Sequence, residues 1–268
     1  MKVAILGCSG GMGRFFSRYF LRRGFEVFGH DPKKVYLKGI RICRFNSEAA
    51  ASADLTVIAT PLGTEVRVAE EIRKDVKAKS YVMELSSVKG KTPFRIRRLL
   101  EGRATLLSIH PLFGPRVKYL RDRTIIAVGG RREAGIVAKL FPEARILTAS
   151  EEEHDSMMGL MLSLPYILNI AYLSLLVKNP ERVQMLRYLT PSASKQIKLA
   201  HAITSQQPSL VSGILALNSY TNKYVDELQD EIANISRALA TSQTGTLVNL
   251  LKTLRSDCLM PPQPSADS

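Results

Sequence analysis

The residue best suited to chemistry in this sequence is His110, which directly follows an apolar run at residues 105–109. The run is typical of a buried strand, and residues 111–115, Pro-Leu-Phe-Gly-Pro, indicate a turn after it. Ligands of open α/β sheets bind at such strand ends, and imidazole exchanges protons near neutral pH. A single histidine at such a place is more often structural, so its role depends on the residues that the fold brings to it.

A glycine-rich turn supplies a second chemical signal. Residues 7–13 read Gly-Cys-Ser-Gly-Gly-Met-Gly, follow an apolar strand and lead into an amphipathic helix that ends at Gly24. A second strand at residues 25–29 then ends at His30-Asp31. This order predicts a dinucleotide-binding unit, in which Gly7 makes the tight turn, Gly10 lets the backbone approach a pyrophosphate, and Gly13 allows close helix packing.

Asp31 bears on which dinucleotide binds. A carboxylate after the second strand accepts hydrogen bonds from an adenosine ribose 2′-hydroxyl and repels a 2′-phosphate, which favours NAD over NADP. Lys33 and Lys34 follow at once and offer a phosphate some compensation, so NADP stays possible. The predicted cofactor-binding residues are Gly7, Ser9, Gly10, Gly11, Met12, Gly13, Asp31, Thr60 and Pro61.

The elements that position these residues alternate between strands and helices up to residue 149. Further strands are predicted at residues 55–59, 81–85, 105–109, 124–128 and 145–148. This alternation predicts an α/β fold, a Rossmann-type doubly wound parallel sheet, whose strand ends bring Thr60, Ser87 and His110 towards the glycine turn.

A helical pattern replaces the strands after residue 149. Ser150 and Glu153 form a capping box, and Pro180, Pro191 and Pro208 mark helix starts. Apolar residues at helical spacing from 225 to 254 predict one long helix that lies in the core or in a dimer interface. We expect a nucleotide-binding domain at 1–149, an all-helical substrate and dimerisation domain at 150–258, and a disordered tail at 259–268.

Composition narrows the functional classes. An apolar content of 45% with 23% charged residues is typical of a soluble globular protein. Three cysteines without paired spacing predict no disulfide framework and no metal site, and favour the cytoplasm. The net charge of +14 favours anionic ligands, but the basic residues are spread out, so nucleic acid is not expected.

One apolar segment needs an explanation of its own. Residues 157–177 carry no charge and are long enough to span a bilayer. Polar residues within the segment and the absence of a clear positive flank favour a buried helix of a helical or dimeric core. We therefore predict no membrane association.

Three further runs narrow the reaction. They are Ser-Ser-Val-Lys-Gly at 86–90, His-Pro-Leu-Phe-Gly-Pro at 110–115 and Glu-Glu-His-Asp at 152–155. In this order, and with the glycine turn before them, these runs resemble those of the prephenate dehydrogenase family. The resemblance covers residues 1 to about 220. The resemblance implies NAD(P)-dependent oxidative decarboxylation of prephenate to 4-hydroxyphenylpyruvate in tyrosine biosynthesis, by a homodimer joined through the helical domain.

The resemblance also implies roles for individual residues. His110 would take the proton of the substrate ring hydroxyl as hydride leaves, and Ser87 would hydrogen-bond both that histidine and the hydroxyl. His154 would lie near the ring carboxylate, unless it is only a helix-start residue that bonds the backbone.

This sequence departs from the family at the substrate-binding arginine, because residues 190–201 contain none. Lys198, Lys195 or His201 are candidates to replace it, with Lys198 favoured. Arg116 is a second candidate cation. An arginine there suits the keto acid side chain of prephenate, whereas an acid would suit the amino group of arogenate.

Other functions remain open from the sequence. Arogenate dehydrogenase is one, and a β-hydroxyacid dehydrogenase or imine reductase is another, although these leave residues 110–115 unexplained. A non-catalytic NAD-binding regulator or a nucleic-acid binder would show no turnover, and binding by the basic surface would depend steeply on salt.

Overall fold

The computed structural model describes residues 1–33, 36–241 and 244–256, and its first 149 residues form an eight-stranded sheet. The strands are β1 (Lys2–Leu6), β2 (Glu26–His30), β3 (Ile40–Ile42), β4 (Leu55–Ile58), β5 (Ser80–Glu84), β6 (Ala104–Pro111), β7 (Thr124–Val128) and β8 (Arg145–Ala149). Their order is β3-β2-β1-β4-β5-β6-β7-β8. Strands β1, β2, β4, β5 and β6 run parallel to one another, so their carboxyl ends meet at one edge of the sheet.

Helices cover both faces of the sheet, which confirms the doubly wound α/β prediction. They are α1 (Gly11–Arg22), α2 (Asn46–Ala51), α3 (Glu65–Ile72), α4 (Thr92–Leu100) and α5 (Arg131–Leu140). Buried aromatic residues of α1, among them Phe15 and Phe16, pack with Phe141 on one face. Val68 of α3 and Ile96 of α4 pack on the other. Central strands such as β1 and β4 are buried on both sides, as their continuous apolar runs require, whereas the edge strands β3 and β8 are largely exposed.

Two details of the sheet differ from the prediction. Strand β7 runs antiparallel to β6, so the sheet is not wholly parallel. The physical reason is the connection at residues 112–123, which contains no helix to carry the chain back across the sheet for a parallel return. Strand β3 was not predicted, because it has three residues and two of them are exposed.

The chain after β8 is helical, as predicted. The helices are α6 (Glu151–Met158), a π-helical turn (Gly159–Ser163), α7 (Leu164–Val177), α8 (Pro180–Gln184), a 3₁₀ turn (Met185–Tyr188), α9 (Pro191–Thr204), α10 (Pro208–Leu217), α11 (Thr221–Ala240) and α12 (Thr244–Ser256). The capping box of Ser150 and Glu153 is present, and Pro180, Pro191 and Pro208 each begin a helix.

The predicted single helix through residues 225–254 is instead two helices, because α11 ends at Ala240 and α12 begins at Thr244. The apolar spacing continues across the break, but a helix end depends on local residues that the spacing does not report.

The chain divides into two compact units, Met1–Thr221 and Asn222–Ser268. The first contains the whole sheet and α6 to α10. The second contains nearly all of α11 and α12. The predicted tail at 259–268 and the last two residues of the predicted helical domain lie outside the described residues.

Helices α6 and α7 and the π turn between them form one continuous helix, Glu151–Val177. Among the described residues, this helix alone is long and apolar enough to cross a membrane, by length and composition only. Only 11% of its most apolar stretch is buried within the chain, so the predicted burial is not met by one chain alone. Leu168, Leu175 and Val177 are exposed along it.

Candidate active site

The glycine turn after β1 forms a cradle that side chains would fill. Gly7 has a φ of +83°, and a Cβ there would lie 2.7 Å from the carbonyl oxygen of Ala59. A Cβ at Gly13 would lie 2.1 Å from the carbonyl oxygen of Gly7. Helix α1 begins after Gly10 with no side-chain cap and no acidic residue in its first turn. Its first N–H groups can therefore meet an anionic phosphate, and these residues fit a dinucleotide.

Asp31 closes the other side of this cradle. Its carboxylate accepts hydrogen bonds from the backbone N–H of Ser9 at 3.0 Å and of Lys33 at 3.0 Å. Burial works to raise the pKa of Asp31, but the bonds from Ser9 and Lys33 lower it below its usual value. The carboxylate is thus ionised beside the glycine turn, where the sequence predicts the adenosine ribose.

Arg14 is an addition to the predicted cofactor residues. It is exposed on the first turn of α1, and its Nε donates to the carbonyl oxygen of Ser9 at 2.8 Å. This bond holds a guanidinium against the glycine turn. The sequence showed Arg14 only as part of the polar face of a helix.

His110 lies within β6 and not after it, because β6 continues to Pro111 by pairing with β7. The last ladder pair between β5 and β6 joins Glu84 to Ser108, so His110 extends beyond the end of β5. The loop that follows reaches the cradle, since a Cβ at Gly11 would lie 2.9 Å from Cγ of Pro115. The fold therefore places the loop after His110 against the predicted cofactor site.

A chain of hydrogen bonds links His110 to two residues of α6. Nδ1 of His110 lies 2.9 Å from Nε2 of His154, and Nδ1 of His154 lies 2.8 Å from Oδ1 of Asp155. Asp155 also accepts from the backbone N–H of Lys89 at 2.8 Å and of Gly90 at 2.7 Å. The side chains of His110, His154 and Asp155 are all buried, and that of His154 is completely buried.

This arrangement changes two expected contacts. Nδ1 of His110 is paired with His154, and among the described residues Ser87 makes no hydrogen bond to His110. Both ring nitrogens of His154 are engaged within the chain. A direct bond from His154 to a substrate carboxylate would therefore require one of these bonds to open.

A buried ion pair lies next to His110, at the ends of β5 and β6. Nζ of Lys89 lies 2.7 Å from Oε1 of Glu84, and both side chains are completely buried. Nζ also donates to the carbonyl oxygen of Ile109, the residue before His110, at 2.9 Å. Glu84 in turn accepts from the backbone N–H of Ser86 at 2.7 Å and from the hydroxyl of Ser108. The pair ties the ends of β5 and β6 together.

Electrostatics keep His110 neutral. Burial, together with the nearby His154 and Lys89, lowers the pKa of His110 well below its usual value of 6.5. Burial works to raise the pKa of Asp155, but bonds from His154, Lys89 and Gly90 lower it overall. At neutral pH the site therefore holds an unprotonated imidazole near an ionised carboxylate, and a neutral imidazole can accept a proton.

Two family models match this chain. One describes the prephenate dehydrogenase nucleotide-binding domain and matches residues 22–123; the other describes the prephenate dehydrogenase dimerization domain and matches residues 150–253. The chain belongs to the prephenate dehydrogenase family. His110 and His154 fall in different matched regions, whereas the glycine turn precedes the first, so its assignment depends on geometry.

Individual relatives of this prephenate dehydrogenase family member are distant. A probable arogenate/prephenate dehydrogenase of Methanocaldococcus jannaschii is 23% identical over 94% of this chain and 60% of its own length. The chain spans about three fifths of the length of the curated relatives it matches.

Solved structures share the fold. The crystal structure of prephenate dehydrogenase from Aquifex aeolicus, in complex with hydroxyphenyl propionate and NAD⁺, has a TM-score of 0.81 at 18% identity and covers 96% of each chain. The Synechocystis arogenate dehydrogenase structure has a TM-score of 0.76 at 15% identity and covers 96% of this chain and 98% of its own.

The candidate cations for a substrate carboxylate are all exposed. Arg116 follows Pro115 in the loop that contacts the glycine turn. Lys198 and Lys195 are exposed on α9, whereas Ala200 and Ile203 of the same helix are buried. His201 is also exposed, and its Nδ1 lies 3.1 Å from the hydroxyl of Ser205. Of these, only Arg116 lies in a loop that contacts the predicted cofactor site.

Lys89 and Asp155 lie in the runs at 86–90 and 152–155, and Glu84 lies in the predicted strand at 81–85, but the sequence pattern assigned no role to any of them. The only hint for Asp155 was its place next to His154, since a carboxylate often orients an imidazole, although adjacent side chains on a helix do not usually face each other. No comparable signal pointed to Glu84, because its partners come from another strand and from a loop.

Proposed function

We propose that this chain is a prephenate dehydrogenase, which uses NAD to convert prephenate to 4-hydroxyphenylpyruvate and carbon dioxide. One observation carries the proposal: His110 is buried and neutral, its Nδ1 is occupied by His154, and its Nε2 makes no hydrogen bond to the described part of the chain. Nε2 is thus left to meet a substrate hydroxyl, beside the loop that reaches the glycine turn.

The chemistry follows from this geometry. NAD, when bound, supplies the acceptor for the hydride that leaves the ring carbon of the substrate. Nε2 of His110 accepts the proton of the hydroxyl on that carbon, which prevents positive charge from building up on oxygen. Loss of carbon dioxide then makes the ring aromatic. Ser87 follows β5 in the loop beside His110 and is proposed to bond the same hydroxyl.

The cofactor is proposed to lie across the cradle of Gly7, Ser9, Gly10, Gly11, Met12 and Gly13. Its pyrophosphate would meet the start of α1 and the guanidinium of Arg14. Asp31, ionised at this edge, supports NAD over NADP because a 2′-phosphate beside it would be repelled. Thr60 and Pro61 follow β4 and would face the nicotinamide ribose.

Prephenate is proposed over arogenate because of Arg116. Its guanidinium can pair with the side-chain carboxylate of either substrate, but it would repel the ammonium group that arogenate carries in place of the ketone of prephenate. Lys198 and His201 remain proposed contacts for the second carboxylate, as point charges in place of the family arginine.

The apolar surface of α7 supports a homodimer. Leu168 and Leu175, two turns apart on one face of α7, are exposed on one chain, and exposed apolar surface of this kind marks an interaction site. The match to a dimerization domain favours a second copy of this chain as the partner. A dimer that covers α7 removes the reason to place it in a membrane, and we propose a cytoplasmic enzyme.

The test is absorbance at 340 nm with prephenate or arogenate, each paired with NAD or NADP. We expect turnover with prephenate and NAD. His110→Asn should lower kcat about 10²- to 10⁴-fold, the contribution of a general base, while NADH binding, followed by its fluorescence, is retained. Because the pKa of His110 lies well below 6.5, wild-type turnover should fall only at more acidic pH, where the imidazole gains a proton.

Each other outcome removes a specific part of the proposal. Turnover only with arogenate would reject the role of Arg116, and turnover only with NADP would reject Asp31 as the selector. An active His110→Asn variant would refute the mechanism, and no turnover with any pair would refute the function.

A further inference from the structure

The hydrogen-bond chain from Asp155 to His110 determines where the protons of two histidines must lie. Asp155 is ionised and can only accept, so Nδ1 of His154 must carry a proton to donate to it. If His154 is neutral, its Nε2 is then unprotonated and can only accept. The proton between the rings must therefore lie on Nδ1 of His110.

The consequence reaches the reacting nitrogen. A neutral imidazole carries one proton, so a proton on Nδ1 of His110 leaves Nε2 with a free lone pair. The opposite arrangement, with the proton on Nε2 of His110, would turn a lone pair of neutral His154 towards the Asp155 carboxylate. At 2.8 Å inside the protein, that contact would be repulsive.

We propose that Asp155 is a positioning residue that acts through His154 to hold His110 in the tautomer whose Nε2 accepts the substrate proton. The inference rests on the proposed function for its catalytic consequence, but the tautomer itself is a property of the protein alone. Asp155 touches neither substrate nor cofactor in this proposal.

The surroundings of Asp155 explain how it keeps this role. The N–H groups of Lys89 and Gly90 hold its carboxylate from the loop after β5, and the side chain of Asn218 donates to its carbonyl oxygen at 2.8 Å. Contacts from two sides thus fix Asp155. In the described part of the chain, the other charged groups near the two histidines are Lys89, which is buried beside His110, and Glu84, which neutralises Lys89.

After proton transfer, the same chain stabilises the product. His110 then carries protons on both nitrogens, and its Nδ1–H still donates to Nε2 of His154. The positive charge on His110 is balanced through His154 by the carboxylate of Asp155. No further oxidant or proton acceptor is needed for this step.

The experiment is ¹⁵N NMR of the full-length protein with labelled histidine at pH 8. The sequence has four histidines, and the signals of His110 and His154 are assigned with His→Asn variants. We expect His110 to be protonated at Nδ1 and bare at Nε2. In Asp155→Ala the acceptor is gone, so we expect the His110 proton to move partly or fully to Nε2.

Turnover supplies the second readout. We expect kcat of Asp155→Ala to fall by up to about 10⁴-fold, the loss that a wrong histidine tautomer causes in a catalytic triad, with cofactor affinity unchanged. Asp155→Asn keeps one oxygen that can accept from His154, so its kcat should lie between that of the wild type and that of Asp155→Ala. Glu152→Gln is the matched control, because it removes a carboxylate from the same turn of α6. In the described part of the chain, the Glu152 carboxylate accepts a hydrogen bond from the hydroxyl of Tyr220 and makes none to either histidine.

Two results would overturn the inference. One is a wild-type protein with the His110 proton on Nε2 at pH 8. A His154 protonated on both nitrogens would give this same result, because it would donate to Nδ1 of His110. The other is an Asp155→Ala variant that keeps both its tautomer and its kcat. If Asp155→Ala does not fold, the wild-type spectrum decides alone. If the tautomer is as expected but no substrate turns over, the proposed function fails and the inference stands.

Discussion

The substitution Lys89→Met tests the buried ion pair beneath the site. It removes the Nζ that lies 2.7 Å from Glu84 and leaves the Glu84 carboxylate completely buried without its cation. Among the described residues, only the N–H of Ser86 and the hydroxyl of Ser108 would still bond it. The substitution also removes the bond to the carbonyl oxygen of Ile109, next to His110.

The magnitude follows from the burial of both partners. Removing one member of a buried ion pair costs about 3–5 kcal/mol, because the remaining charge is left without compensation. For a domain of this size, each kcal/mol lowers Tm by about 2–4 °C, so we expect a loss of roughly 6–20 °C. Urea unfolding followed by circular dichroism gives the free energy of unfolding directly.

Two controls separate the buried charge from the loss of a lysine. Lys77→Met breaks the ion pair with Asp54, 3.1 Å long but about half exposed, and should cost no more than about 1 kcal/mol. Adding Glu84→Gln to Lys89→Met removes the stranded charge and should recover about 1 kcal/mol or more. The reasoning would be refuted if Lys89→Met cost no more than Lys77→Met, or if the double variant were the less stable.

Two further substitutions test the cofactor cradle. Gly13→Ala places a Cβ 2.1 Å from the Gly7 carbonyl oxygen, so it should weaken NAD binding at least tenfold and lower stability by about 1–3 kcal/mol, whereas Gly135→Ala, which has open space in α5, should be neutral or stabilising. Equal effects of the two on Tm and on NAD titration would contradict the cradle. Arg14→Gln should raise KM for NAD about tenfold or more with kcat unchanged, since a charge-assisted bond contributes about 1.5–3 kcal/mol. Arg18→Gln, one turn along the exposed face of α1, is the control, and an equal KM for both variants would remove Arg14 from the phosphate site.

The parts of the fold that the sequence predicted are those decided locally. The strands around residues 55–58 and 124–128 are apolar runs between turn residues, and the helix that starts after Ser150 has its cap within four residues. The direction of β7 is not local in this sense. It depends on whether a crossover helix forms in residues 112–123, and this stretch of mixed basic and apolar residues does not indicate in which direction the next strand will run.

The candidate site divides in the same way. His110 was predicted because a strand end and a turn surround it, and Asp31 because it follows a strand and a glycine turn. The pairing of Lys89 with Asp155 joins residues 66 positions apart, and that of His110 with His154 joins residues 44 positions apart. The family resemblance therefore assigned both histidines to the substrate, since no pattern in the sequence indicates that they face each other. In the proposed tautomer, the unprotonated Nε2 of His110 depends on Asp155 and His154 and not on the substrate or on Ser87, so the acid–base chemistry of the site would be set before any ligand binds.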